Sequence, residues 1–104
     1  MKIKTGVILV ISTVPESHAH KIAKKLLHAK LASCINLIPG IISYYFWKNK
    51  LEHANEIQML IKCKRINQKT LIKLLKEIHP YEIPEILVIP ISYIDDAYLS
   101  WLSI

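Results

Sequence analysis

The segment Val7-Ile8-Leu9-Val10-Ile11 is an unbroken apolar run, rich in β-branched residues. A strand with one wet face alternates apolar and polar residues, so a run without alternation reads as a strand buried on both faces. The strand, placed from Lys4 to Ser12, therefore belongs in the middle of its sheet, with partners at both edges.

The rest of the chain supplies those partners and the layer that covers them. Thr13-x-x-Glu16 has the spacing of a capping box, and Ala19, Ile22, Ala23, Leu26 and Leu27 recur at helical intervals opposite Lys21, Lys24, Lys25 and His28, which predicts a helix over Val14 to Lys30. Cys34 to Trp47 is rich in Ile and aromatics, and after Lys48-Asn49-Lys50 a second extended arm runs to about Lys64. This is a long β-hairpin turning at Asn49, a residue that tolerates the left-handed conformation. Pro39-Gly40 cannot sit in a regular ladder and predicts a bulge in the first arm. In the second arm Ile57, Met59, Ile61 and Cys63 alternate with Glu56, Gln58, Leu60 and Lys62, so one face meets the core.

Asn67 is placed to cap a second helix with Leu71, Leu74, Leu75 and Ile78 as its apolar stripe, ending at His79-Pro80 because a residue before proline avoids helical backbone. Pro84 to Ile91 reads as another buried strand, and Asp95-Asp96 opens a short C-terminal helix, Ala97 to about Leu102. Strand, helix, strand, strand, helix, strand and a helical tail give an α+β class: a ferredoxin-like split βαβ sandwich with a long central β-hairpin. At 104 residues the chain reads as one domain, 1–104.

Composition narrows the function. With 52% hydrophobic residues the chain carries more apolar surface than a small monomer can bury, and the hairpin aromatics Tyr45 and Trp47 are the expected assembly residues. The net charge is +6, yet Arg65 is the only arginine, which argues against nucleic-acid reading, where arginine makes the bidentate contacts. No run is long enough to span a membrane. Cys34 and Cys63 form no CxxC pair, the pattern of reduced thiols in a cytoplasmic protein. On this fold an acyl-phosphate hydrolase needs an Arg cradle after the first strand, a metallochaperone needs CxxC there, and an RNA-recognition module needs aromatics on the central strands. Ser12 to Pro15 and Val7 to Ile11 supply none of these.

Imidazole, phenol and carboxylates concentrate at His79-Pro80-Tyr81-Glu82-x-Pro84-Glu85. With Ala32-Ser33-Cys34-Ile35-Asn36, Tyr45-x-Trp47-Lys48-Asn49-Lys50, Glu56-Ile57-Gln58-Met59 and Tyr98-Leu99-Ser100-Trp101, this segment resembles the divalent-cation tolerance protein CutA family over nearly the whole chain. The resemblance implies a homotrimer built through long hairpins, a link to copper or other divalent cations, and no enzymatic activity. Of the family's proposed copper ligands, a Cys before Thr-x-Pro and two consecutive His before Pro-Tyr, this chain has Ser12, Ile78 and His79. His79 is thus the one metal candidate, and without a thiolate it predicts weak copper binding. The remaining candidates for a cleft between subunits are Lys62, Tyr81, Glu82, Glu85, Trp47 and Trp101, with Lys62 expected to pair with Glu56, Glu82 or Glu85. The alternative is a small-molecule signal-binding or scaffolding trimer with no direct metal role.

Overall fold

The computed structural model describes residues 4–103; Met1 to Ile3 and Ile104 of the expected 1–104 unit lie outside the described residues. Its elements are β1 (Val7–Val14), α1 (Glu16–His28), β2 (Cys34–Trp47), β3 (Lys50–Lys64), a 3-10 turn (Arg65–Asn67), α2 (Gln68–Ile78), β4 (Leu87–Pro90) and α3 (Asp96–Leu102). The sheet order is β2-β3-β1-β4 and all neighbours are antiparallel, the ferredoxin-like arrangement. The apolar run lies in β1, flanked by β3 and β4 as its composition requires.

Ile8, Val10 and Val14 of β1 and Ile57, Met59, Ile61 and Cys63 of β3 meet Ala19, Ile22, Ala23 and Leu26 of α1 and Leu71 and Leu75 of α2 in one buried cluster. Val7 and Leu102 are also buried but lie outside that cluster. Val7 alternates with Ile8, so it belongs to the sheet face opposite the helices, where α3 is tied down by the Lys64 ammonium donating to the Ser103 carbonyl at 3.1 Å.

The hairpin obeys its local chemistry. Trp47 pairs with Lys50, leaving Lys48 and Asn49 as a two-residue turn with φ of 50° and 65°, the left-handed pair that matches strand twist. The ladder shifts register between Ile38 and Ile41, where Gly40 has φ of 77°.

Four local expectations change. The capping box at Thr13 does not form: β1 continues through Val14, Pro15 is the N-cap of α1, and Thr13 is too far back to reach the free N–H groups. Asn67 makes no side-chain cap because the chain enters α2 through the 3-10 turn, which already holds Asn67 in helical backbone. The last strand covers only Leu87–Pro90, since the residues before it bend across the sheet end, and as an edge strand it leaves Leu87 and Ile89 exposed instead of buried. Finally, β1 starts at Val7 and not at Lys4. At α3 the expectation holds, with the Asp95 carboxylate accepting from the N–H groups of Ala97 and Tyr98.

Candidate functional site

His79 and Pro80 end α2, and the chain then crosses the sheet as the irregular segment 79–86. One pair of hydrogen bonds anchors that crossing. Nδ1 of His79 accepts from the Tyr81 N–H at 3.1 Å, which leaves Nε2 carrying the proton it donates to the Thr13 carbonyl at 3.0 Å. The ring is 7% exposed, and burial holds its pKa below the ordinary 6.5 against the opposing pull of the Thr13 carbonyl and the Glu56 charge. His79 is therefore a neutral clamp between β1 and the crossing segment, with its ring against that of Tyr81, centroids 4.9 Å apart.

Above the clamp lies a cleft of about 780 Å³. Its sheet side is made by Thr13, Ser43, Tyr44, Tyr45, Trp47, Glu52 and Glu56, and its other wall by Pro80, Tyr81, Glu82, Ile83 and Glu85. The Tyr81 hydroxyl donates to Glu56 Oε2 at 2.7 Å and joins the walls. Burial first, and then this bond to a carboxylate, push the Tyr81 phenol well above its ordinary range, so it stays a proton donor. Among the described residues no Lys, Arg or His lines the cleft.

Of the residues expected to share a site, the cleft gathers Tyr45, Trp47, Tyr81, Glu82 and Glu85. It leaves out Lys62, His79 and Trp101. Lys62 donates to Asn36 Oδ1 and lies 3.9 Å from Cys34 Sγ; it pairs with none of the expected carboxylates. Lys62 and Glu56 share a face of β3, but six residues at roughly 3.3 Å each put them about 20 Å apart. Trp101 stacks on Tyr98 in α3, and Tyr98, whose hydroxyl is pushed up by partial burial and by neighbouring Cys34, marks the same far end of the sheet. The cleft also contains Glu52, which its sequence motif does not single out but hairpin register supplies: a turn at Lys48-Asn49 sets Glu52 opposite Tyr45.

The donor set does not fit copper. Both His79 nitrogens are engaged, and Ser12, at the family's thiol position, is fully buried with its hydroxyl unpartnered among the described residues. Ile78 packs against the core cluster. Among the described residues no group of three or more His, Cys, Asp or Glu is placed to hold a metal ion.

The chain is thus a small split βαβ sandwich with an acidic, aromatic cleft between its hairpin and the segment after α2. The CutA1 divalent ion tolerance protein family matches residues 8–104, and the chain belongs to that family. It is 45% identical over 100 residues to the divalent-cation tolerance protein CutA of Escherichia coli, covering 95% of this chain and 89% of that one. The crystal structure of CutA from Xylella fastidiosa superposes with a TM-score of 0.91 at 35% identity, covering 94% of this chain and 95% of that one. The CutA of Archaeoglobus fulgidus, described as periplasmic, superposes at 0.88 with 34% identity over 93% of this chain and 95% of that one. No helix among the described residues is long and apolar enough to cross a membrane.

Proposed function

We propose that this CutA-family chain is a non-catalytic binding protein that works as a homotrimer in the cytoplasm. Its ligand site is the cleft between the hairpin and the Pro80–Glu85 segment. Its part in divalent-cation tolerance runs through that site and not through copper held by His79. The observation carrying this reading is the cleft itself: a volume of about 780 Å³ is the size of small-molecule sites, and aromatic walls with a few aimed polar groups are their usual lining. The bare hairpin beside it supports assembly, because Tyr44, Phe46 and Trp47 are exposed where one chain has nothing to cover them. Unpaired Cys34 and Cys63 suit a reducing compartment.

A thermal-shift screen of purified protein against Cu(II), Zn(II), small anions and small amines tests the site. The expected outcome is that a small molecule raises Tm in the wild type and not in a Glu52→Gln, Glu82→Gln variant. Stabilisation by Cu(II) alone, abolished by His79→Gln, would return the function to direct copper ligation.

A further inference from the structure

The outer face of the helix layer carries a charge that neither the core nor the cleft uses. α1 and α2 hold Lys21, Lys24, Lys25, Lys69, Lys73 and Lys76, all exposed, against Glu16 and Glu77. Six lysines less two glutamates place four of the chain's six net positive charges on these two elements. The other acidic residues stand elsewhere: four line the cleft, and Asp95 and Asp96 open α3. Helical spacing gathers the lysines, with Lys21 and Lys24 three apart and Lys69, Lys73 and Lys76 at intervals of four and three, while Ile22, Leu26, Leu71 and Leu75 take the buried side of the same helices. This face is separate from the assembly surface. The exposed aromatics stand at the hairpin tip, whereas the residues of β2 that pack against the core beneath the helices, Ile35 and Leu37, lie near the other end of that strand.

The chemistry of the face selects its partner. Lysine is a point charge on a flexible stem, suited to phosphate oxygens and not to the bidentate reading of bases. Neither helix carries an aromatic residue on which a base could stack. Two apolar side chains do stand exposed among the lysines: Leu27, 38% exposed and three residues past Lys24, and Ile66, 87% exposed and three before Lys69. A nucleic-acid backbone offers them no apolar partner. At a bilayer they enter the headgroup boundary while lysine stems extend their ammonium groups to lipid phosphates. We infer that the α1–α2 face docks on a bilayer surface rich in anionic phospholipid. The inference does not depend on the cleft being a binding site.

The experiment sediments purified protein with vesicles of phosphatidylglycerol and phosphatidylcholine, and with vesicles of phosphatidylcholine alone, at physiological ionic strength. Binding to a short DNA duplex is followed in the same buffer. Binding to the anionic vesicles and not to the neutral ones is expected. At about fivefold per lysine, Lys24→Gln with Lys73→Gln weakens it about tenfold or more. Lys48→Gln with Lys50→Gln removes the same charge from the hairpin turn and is expected to leave binding nearly unchanged, and Ile66→Ser to weaken it severalfold at constant charge. All five positions are exposed, so the variants keep the fold, which circular dichroism verifies. Equal binding to both kinds of vesicle, or to neither, overturns the inference. So do losses of the same size from both lysine pairs, which would be net charge acting without a face, and vesicle binding that neither pair alters. Duplex binding tighter than vesicle binding and lost with Lys24 and Lys73 overturns the assignment to lipid and makes the face a nucleic-acid surface.

Discussion

At residue scale, the most consequential side chain is His79, and its role is fixed by which nitrogen carries the proton. Because Nδ1 accepts from Tyr81 N–H, protonating the ring removes that acceptor and loosens the segment that walls the cleft. In the unfolded chain the imidazole takes up its proton near pH 6.5, whereas in the fold burial delays uptake to lower pH. Between those values the unfolded state holds more protons, so stability is full above about pH 6.5 and falls as the pH drops below it. Urea midpoints between pH 8 and pH 5 are expected to show this loss, and His79→Gln to remove that part of it. Ser12 makes a second case. Its hydroxyl is buried against the helix side without a partner among the described residues, an arrangement costing about 1–3 kcal/mol, so Ser12→Ala is expected to be neutral or to raise stability by about 1 kcal/mol in thermal denaturation. A stability loss above that size would reveal a hydrogen bond made by the hydroxyl.

Among the elements, the hairpin decides most. Its two-residue turn sets the register that brings Tyr45 beside Glu52, and the irregularity after Ile38 restores Glu56 opposite Ile41. Gly40 holds that irregularity at φ of 77°, and a Cβ built there meets nothing within 4 Å. Gly40→Ala is therefore expected to cost about 1 kcal/mol through backbone strain alone, seen as a lower unfolding midpoint, with no change in core packing. The element that sequence periodicity described least well is the chain between α2 and β4. Its residue types were visible as a chemical cluster, but a segment without regular period gives no direction, and its course is set by the His79 clamp to a backbone carbonyl of β1. The same limit explains why Thr13 reads as a helix cap and folds as strand: its pairing with Gln58 of β3 is a distant contact that local spacing does not contain.

For the whole molecule, shape is informative. The radius of gyration is 14.7 Å with extents of 46 × 32 × 24 Å, larger than the about 13 Å of a compact chain this long. The excess is consistent with a hairpin whose two strands run to 14 and 15 residues, and whose tip leaves Phe46 75% and Trp47 45% exposed. Assembly through that hairpin predicts that Trp47→Ala shifts sedimentation toward smaller species at micromolar concentration, while Lys24→Ala on α1 does not, because interface energy concentrates in aromatic anchors and exposed lysines contribute little. A wild-type chain sedimenting as a folded monomer would remove the trimer from the proposal.

The element order, the helix faces, the turn at Asn49, the bulge at Pro39-Gly40 and the stop at His79-Pro80 were determined by sequence alone, because each depends on backbone preferences and apolar spacing within a few residues. Tertiary structure alone decided which polar residues meet. Lys62 and Glu56 share a strand face yet lie about 20 Å apart along β3 at roughly 3.3 Å per residue, while Tyr81 and Glu56, 25 residues apart in the chain, touch at 2.7 Å. Charge and residue type announce what chemistry a side chain can do. Only the packing of β1, β3 and the segment after α2 brings four carboxylates and the aromatic rings into one cleft and leaves the described lysines outside it.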